Sequence, residues 1–355
     1  MKTLINWILC CCLLLGFAFG QDDFFEPRTT IGGYGELHYN KSKTGAEDPT
    51  KKLDFHRFII FYSHAWTEAW SLKSEVELEH NFVQGGQGEL ELEQAYINYH
   101  TDLFGFQAGV ILPSVGFINE YHEPPLFLSV ERPEYANYII PTTWFGNGAA
   151  VYGKISDFNW RAVIMEGLDG DKIIDNWKNG IRDGRQKGYK SDAEELLYNF
   201  NVDYTGLPGI RIGTSFSKTT ALVTLEGEDN IEIQLGEIHG KYDKNNILVV
   251  FEWGNINYKN HVVDKSSGYY LDLGYNLGSF LNLTGKLIPW IRLTDINPAA
   301  GHDLEESRHY AKTMFGLTFK PIDNIAFKLD YAINTPQEKG ADQITLINLG
   351  VGYQF

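Results

Sequence analysis

The sequence predicts an all-β protein, a transmembrane antiparallel β-barrel of about sixteen strands with an inward-folded third loop. Three observations predict this fold: the last strand ends on an aromatic residue, tight connections alternate with long ones, and charged residues alternate with apolar ones within strands. A closed barrel pairs every backbone N–H and C=O group, as lipid requires of a spanning structure. The competing interpretation is a large secreted β-sandwich, such as a lectin or a glycosidase domain.

The chain ends on a strand with one apolar face. Alternate residues of this strand are apolar, namely Ile347, Leu349, Val351, Tyr353 and Phe355. The residues between them are polar or glycine, so the period is two. A soluble sandwich does not require an aromatic final residue. Tyr353 and Phe355 are similar to the assembly signal that the barrel-insertion machinery of bacterial outer membranes recognises, and we predict this machinery as a partner.

Residues 1–20 predict a secretory signal peptide. Lys2 precedes an apolar run, and Ala18-Phe19-Gly20 offers a small-x-small cleavage site. The run is too short for a membrane anchor. All three cysteines lie within it, at positions 10–12, so residues 21–355 contain no disulfide. We expect an exported chain whose barrel, residues 21–355, lies in the lipid of the cell outer membrane.

Composition narrows the function classes. Aromatic residues make up 14% of the chain, with 36 glycines and 8 tryptophans, which suits many short strands with aromatic girdles at two membrane interfaces. The net charge of -16 disfavours nucleic acid as a partner. The sequence contains no Gly-x-Ser-x-Gly, no His-Glu-x-x-His and no phosphate-cradling glycine loop. We therefore predict a protein that is not an enzyme and has no cofactor and no resident metal.

About sixteen strands are predicted from period-two patterns and from turn residues between them. Their predicted bounds are Thr30–Asn40, Leu53–Trp66, Trp70–Phe82, Gly88–Thr101, Phe104–Pro113, Trp144–Ile155, Phe158–Gly167, Glu194–Tyr204, Gly209–Ser217, Ile231–Tyr242, Asn246–Asn257, Gly268–Leu277, Phe280–Thr294, Ser307–Lys320, Asn324–Asn334 and Asp342–Phe355.

The connections between these strands alternate in length. Every second one is tight and polar or glycine-bearing: 67–69, 102–103, 156–157, 205–208, 243–245, 278–279 and 321–323. The others are longer, and residues 114–143 and 168–193 form much longer loops. Short periplasmic turns and long external loops are typical of transmembrane barrels, with both termini on the periplasmic side. A sandwich has no reason to sort its loops in this way.

Charged residues recur on one face of the predicted strands. A lysine or arginine facing lipid at the bilayer midplane costs about 2–4 kcal/mol, so these residues are expected to face a water-filled lumen. The later strands supply a basic lumen wall of Arg211, Lys286, Arg292, Arg308, Lys312 and Lys328. Opposite this wall, in barrel order, lie acidic early strands, and the two walls would set a transverse field across the water.

The acidic lumen wall consists of Glu75, Glu77, Glu79, Glu89, Glu91 and Glu93. Three interpretations remain open for these like charges. A regular ladder is a poor match to a glycosidase pair of carboxylates. A divalent-cation site would use His80 or His122 as a further ligand. The interpretation we favour is a solvated acidic wall, with Lys73 and Arg57 as partial partners.

The third long loop, residues 114–143, is apolar and aromatic and contains several prolines. A solvent-exposed loop does not need such residues, so we expect it to pack inside the barrel and constrict the pore. It would present Glu120, His122, Glu123, Glu131, Arg132 and Glu134 to the channel. The alternative is a compact external lid.

Several segments resemble the Bacteroidota branch of the phosphate-selective porin O and P family. They are Glu75–His80, Glu91–Ile97, Gly109–Pro113, Ile118–Pro125, Glu131–Pro133 and Tyr138–Trp144. The likeness is specific from about Leu53 to Gly153 and architectural afterwards. It implies a sixteen-stranded pore that is a homotrimer. Channels of that family line their pores with an arginine ladder and loop lysines, whereas this chain has few such loop residues, Lys218 being one, and an acidic third loop.

The expected function is passive diffusion of small hydrophilic solutes or ions with weak charge selectivity. One alternative is a phosphate- or anion-selective pore, and another is a non-conducting barrel that serves as a surface receptor or adhesin, with the third loop as a plug. The sequence does not identify the natural solute.

Overall fold

A computed structural model describes residues 25–85, 87–300 and 308–355. The predicted signal peptide and its cysteines lie outside the described residues. The chain forms sixteen antiparallel strands: β1 Arg28–Thr44, β2 Thr50–Ala65, β3 Trp70–Glu79, β4 Leu90–His100, β5 Phe104–Ile111, β6 Gly146–Ile155, β7 Phe158–Glu166, β8 Leu196–Tyr204, β9 Ile210–Ala221, β10 Ile231–Lys244, β11 Ile247–Lys259, β12 Lys265–Tyr275, β13 Lys286–Ala300, β14 Tyr310–Ile322, β15 Ile325–Pro336 and β16 Ile344–Gln354.

The strands form one closed barrel in chain order, and β1 pairs with β16 to complete it. In this closing pair Gly35 lies opposite Tyr353, and Thr44 lies opposite Ile344. The predicted fold class is therefore confirmed. No helix within the described residues has the length and the hydropathy needed to cross a membrane.

The two ends of the barrel differ as predicted. Both termini and every second connection lie at one end, here called the turn end, and the alternate connections lie at the other, the loop end. The turn-end connections are tight except residues 276–285 between β12 and β13, where the predicted tight connection 278–279 is wrong. The largest difference between a predicted and an observed strand start lies at the same place: the segment from Phe280 does not pair, and β13 begins only at Lys286. The Asn276 side chain accepts hydrogen bonds from the Gly278 and Leu287 N–H groups, and this turn chemistry replaces strand pairing.

The barrel wall has an apolar outside and a largely polar inside. Outward residues in mid-strand are exposed and apolar, including Ile60, Val151, Phe200, Phe216, Ile238, Phe315, Leu317, Phe327 and Leu349. Polar and charged residues of the same strands are buried inside, including Glu36, Asn98, Asn201, Glu237, Asp272, Thr318 and Asp330. An apolar belt of this extent around a whole molecule is the surface that lipid covers in membrane barrels.

The connection between β5 and β6, residues 112–145 and here called the third loop, folds into the barrel. Its apolar side chains are buried, including Leu112, Val115, Phe117, Ile118, Phe127, Leu128, Val130, Ile139, Ile140 and Trp144. A 3-10 turn at Pro124–Leu126 and a short helix at Tyr135–Tyr138 give it local structure. The inward-folded third loop is therefore confirmed, and the external lid is excluded.

Two glycines on the inner face of β16 make room for the third loop. A Cβ atom at Gly352 would overlap Pro124, and one at Gly350 would lie 2.8 Å from a Val130 methyl group. The small residues on the inner face of β16 therefore have a role in packing, because they leave room for the third loop.

We expect Gly352→Val to lower the free energy of unfolding by about 1–3 kcal/mol, because the added side chain overlaps Pro124. Gly236→Val in β10 is the matched control, since nothing lies within 4 Å of its Cβ position. Urea denaturation of both variants in detergent measures the effect. Equal transition midpoints for the two variants would contradict this packing role.

Candidate functional site

The third loop divides the lumen into chambers. A cavity of about 820 Å³ opens at the turn end and is lined by Lys73, Tyr96, Glu120, Tyr121, Arg161, Asp203 and Arg211 among others. Two adjoining cavities of about 620 and 450 Å³ lie at the loop end, and both are lined by His56, Glu131, Arg132 and Glu134. The third loop therefore lies between two polar chambers of one barrel.

Two buried carboxylates hold the start of the third loop. Glu237 of β10 accepts a hydrogen bond from the Gly116 N–H group at 3.2 Å, and Glu252 of β11 accepts one from the Phe117 N–H group at 3.1 Å. Both carboxylates are about 1% exposed. Backbone N–H groups that would otherwise be unsatisfied inside the barrel thus have carboxyl partners on the wall.

A buried arginine holds the middle of the loop. Arg292 of β13 is 2% exposed and forms two hydrogen bonds of 2.5 and 2.6 Å with Asp272 of β12. It also donates to the Ser129 hydroxyl at 2.6 Å. Nearby, the Lys328 ammonium donates to the Ser129 carbonyl at 2.7 Å, and Asp330 accepts from the Val130 N–H group at 2.8 Å. The barrel wall therefore binds the loop at Ser129 and at the neighbouring Val130.

The predicted basic wall mostly contacts carboxylates and the third loop rather than open water. Besides Arg292 and Lys328, Arg211 pairs with Asp203 at 2.8 Å and lies over the Phe117 and Tyr121 rings, and Lys312 pairs with Glu134 at 2.9 Å. The other two residues lie at the barrel ends. Lys286 pairs with Asp323 at the turn end, and Arg308 contacts Asn179 at the loop end.

The predicted acidic wall divides into a buried part and an outer part. Glu75, Glu77 and Glu93 are 1–2% exposed, whereas Glu89 and Glu91 contact Lys187. Arg57 lies among three carboxylates, 2.8 Å from Glu36, 3.1 Å from Glu77 and 3.8 Å from Glu79. Arg57 is thus a partner of this wall, while Lys73 lines the turn-end cavity.

A β-bulge decides which residues of β4 face inward. Glu75 lies opposite Gln94, and the next pair is Val76 with Leu92, so Glu93 is the extra residue. Glu93 and Gln94 consequently both point into the lumen, and the Gln94 amide donates to Glu75 at 2.5 Å. Strict alternation beyond Glu93 would have placed Gln94 on the outer face.

The six predicted constriction residues spread along the loop, and most have partners. Glu120 pairs with Arg161 at 3.2 Å, Glu134 pairs with Lys312, and Glu123 is half-buried beside the 3-10 turn. Arg132 donates to the Tyr34 hydroxyl and to the Thr143 hydroxyl, both at 3.3 Å. His122 and Glu131 complete the set.

His122 and Glu131 have strongly shifted pKa values. Burial and the nearby Arg132 lower the pKa of His122, but the Glu75 and Glu93 carboxylates outweigh them, so the pKa rises to about 10. Burial raises the pKa of Glu131, but hydrogen bonding to His38, 2.9 Å away, outweighs burial and lowers the pKa to about 2. Both shifts favour the charged form of the side chain.

Sequence reasoning missed a cluster of basic residues from the connection between β7 and β8, residues 167–195 and here called the fourth loop. Arg182 donates to the Thr142 carbonyl at 2.5 Å, and Arg185 donates to the carbonyls of Pro141 and Thr143 at 3.1 and 2.5 Å. Among the described residues, neither arginine forms an ion pair, and both line the loop-end cavity. Burial and the neighbouring Arg182 lower the pKa of Arg185 to about 10.

The basic spacing Arg182, Arg185 and Lys187 was visible in the sequence, but nothing in it indicated that the fourth loop folds over the third. The prediction that Lys218 is a loop lysine is wrong. Lys218 lies in β9 and is exposed between the buried Ser217 and Thr219, so its side chain faces outward and not into the lumen.

No family model matches the chain, so the family resemblance is not confirmed. A curated protein of Aquifex aeolicus (strain VF5), described as uncharacterized, is 28% identical over 344 residues, which cover 89% of this chain and 78% of that protein. Solved structures with a similar fold include OmpF of Salmonella typhi in complex with daunomycin, with 13% identity, a TM-score of 0.63, and coverage of 92% of this chain and 97% of that chain.

An anion-selective porin of Comamonas acidovorans is 13% identical with a TM-score of 0.62 and covers 93% of this chain and 100% of its own. The trimer form of OmpT of Vibrio cholerae is 12% identical with a TM-score of 0.58, again covering 93% and 100%. At these identities the likeness shows the fold, a sixteen-strand porin-type barrel.

We expect Arg292→Met to lower the free energy of unfolding by about 3–5 kcal/mol, because it leaves the buried Asp272 carboxylate without its partner. Replacing both residues, as in Arg292→Met with Asp272→Leu, is expected to restore most of the loss. Urea denaturation in detergent measures each variant. A double variant as unstable as the single one would contradict a paired role for these two charges.

Proposed function

We propose that the chain is an outer-membrane porin, a passive diffusion channel for small hydrophilic solutes and ions. The observation that carries this proposal is the third loop, which lies across a barrel with an apolar exterior and leaves polar chambers on both sides of it. A pore needs water-filled space on both sides of a constriction, and the polar chambers and the third loop correspond to these two parts. The exposed apolar belt supports a position in lipid, which the barrel-assembly machinery would reach through β16.

A homotrimer is a further part of the proposal. It is supported by the sequence resemblance and by a solved structure of similar fold that is described as a trimer. Wide barrels share flat apolar walls in such assemblies. Mass measurement of the detergent-solubilised protein tests the trimer.

We propose weak selectivity with a slight preference for cations. The larger loop-end cavity is lined by nine acidic and five basic side chains, so its net charge is negative. Many of these charges are paired with each other, and paired charges contribute little field at a distance. A weak net field remains, and its sign is negative.

Anion selectivity is the second candidate, and one observation favours it. Arg132, Arg182 and Arg185 line the loop-end cavity and form no ion pair among the described residues. Their N–H groups contact carbonyls and hydroxyls, so no carboxylate among the described residues pairs directly with them. The reversal potential across a KCl gradient decides between the two candidates.

Purified protein in planar bilayers is expected to give stepwise conductance, because polar chambers lie on both sides of the third loop inside the barrel. Insertion without current would support the other alternative, a barrel plugged by the third loop that serves as a receptor or adhesin. A chain that stays soluble without detergent would contradict the membrane assignment itself. Heat-denatured protein is the control for both measurements.

Replacing Glu120, Glu123 and Glu134 by glutamine is expected to move the reversal potential toward that of chloride. Two of these changes also free a paired base, Arg161 or Lys312, so the local charge becomes more positive. A unit charge about 10 Å from a permeating ion in water is worth about 0.4 kcal/mol, so the cation-to-anion permeability ratio should fall at least about twofold.

The matched control neutralises three exposed acids, Glu226, Glu228 and Asp229, in the connection between β9 and β10. This control should leave the reversal potential unchanged, because these residues lie away from the third loop. An equal shift in both triple variants would mean that the three third-loop glutamates do not line the narrowest part of the path.

A further inference from the structure

Three buried side chains meet where the third loop contacts the wall of β3 and β4. The Nε2 atom of His122 lies 3.4 Å from a Glu75 oxygen and 3.6 Å from a Glu93 oxygen. The three ligand-type atoms lie within 4.8 Å of one another. The residues are 1–3% exposed, so this group belongs to the interior of the protein rather than to a solvated acidic surface.

The two separations that involve Nε2 of His122 match the edges of a metal coordination sphere. Two nitrogen or oxygen ligands bound tetrahedrally to Zn²⁺ lie about 3.3–3.6 Å apart, given metal–ligand bonds of about 2.0–2.2 Å. A charge-assisted hydrogen bond between an imidazolium and a carboxylate is shorter, about 2.7–2.9 Å. The observed distances of 3.4 and 3.6 Å therefore suit three ligands around an ion better than a protonated His122 between two carboxylates.

The groups behind these ligands orient them toward a common point. The other ring nitrogen of His122, Nδ1, lies 3.2 Å from the carbonyl oxygen of Asn119, a distance at which its N–H donates. This hydrogen bond leaves the Nε2 lone pair for an ion. The second oxygen of Glu75 accepts from the Gln94 amide at 2.5 Å, so the first oxygen remains directed at His122.

One ligand atom lacks a hydrogen bond. Glu93 is only 1% exposed, and yet its Oε2 atom accepts no hydrogen bond among the described residues. A buried carboxylate oxygen without a hydrogen bond is costly and requires an explanation. This is the same oxygen that faces Nε2 of His122. A bound cation would satisfy it.

The charge around the group is mixed but compatible with a cation. Glu77 and Glu91 lie beside Glu93 and line the loop-end cavity, which gives an ion a carboxylate-lined entry. Arg57 is engaged by Glu36 and Glu77, and the Arg132 guanidinium donates to Tyr34 and Thr143. Imidazole with two carboxylates suits zinc-like ions, whereas Ca²⁺ and Mg²⁺ prefer six or more oxygen ligands.

We propose that Glu75, Glu93 and His122 form a binding site for a divalent transition-metal ion of the zinc class. Because His122 belongs to the third loop and the two glutamates belong to β3 and β4, the ion would link the loop to the barrel wall. This role goes beyond diffusion, since it makes the position of the third loop dependent on the ion.

The test uses the full chain, folded in detergent, stripped with EDTA and titrated with ZnCl₂ by isothermal titration calorimetry. We expect one zinc ion per chain, counted by elemental analysis after gel filtration, and no displacement by millimolar CaCl₂. Changes to groups that only orient a metal ligand cost 10–100-fold in affinity, so loss of a ligand in His122→Gln should cost at least about 100-fold. Glu93→Gln should weaken binding in the same way.

His80→Gln is the matched control, because His80 belongs to a second histidine–carboxylate group, with Asp54 and His56, at the loop end. It should keep wild-type affinity. Absence of zinc from the wild type, equal binding in all variants, or loss of binding in His80→Gln alone would overturn the proposal.

Heat-dependent electrophoretic migration verifies that each variant is folded. X-ray absorption of the zinc-loaded wild type reports whether an imidazole is a zinc ligand, and this measurement does not depend on the folding of any variant. These measurements of zinc binding do not use ionic current, so they test the metal site separately from the proposed channel function.

Discussion

The interior of the barrel depends on one constraint: a long loop placed inside a closed barrel must find partners for its backbone and side chains. The wall meets this constraint with ionisable groups. Glu237 and Glu252 accept N–H groups at the start of the loop, while Arg292, Lys328 and Asp330 bind it around Ser129. These hydrogen bonds give partners to loop groups that would otherwise be buried and unsatisfied.

These contacts also explain why the inner wall contains so many ionisable residues. A buried charge is tolerated when a partner and further hydrogen bonds satisfy it, as Asp272 does for Arg292. The charges of the basic wall thus serve two purposes, since they fix the loop and leave the chamber surfaces polar. Small residues contribute as well, because Gly350 and Gly352 let the loop approach β16 closely.

Much of the fold could be predicted from the sequence, because local patterns determine it. Period-two alternation and turn residues located all sixteen strands, and the apolar third loop indicated its own burial. The errors lie where a local pattern is ambiguous. Leu281 and Leu283 alternate like a strand, but Asn276 closes a turn around them, and the bulge at Glu93 changes which side chains of β4 face inward.

The site was predicted less completely, because partners distant in sequence decide what each charge does. Counting carboxylates identified the acidic wall, but not that Arg57 sits among three of them or that His122 faces Glu75 and Glu93. For the same reason, the sequence did not indicate that the arginines of the fourth loop line the lumen. A selectivity argument from composition counts every charge equally, whereas the field that an ion meets comes from the charges left unpaired after folding. In this lumen the basic residues without an ion pair among the described residues include Arg132, Arg182 and Arg185, which belong to two loops. Such loop charges have to be counted separately from the strand ladders, because only the folded structure shows which of them are paired.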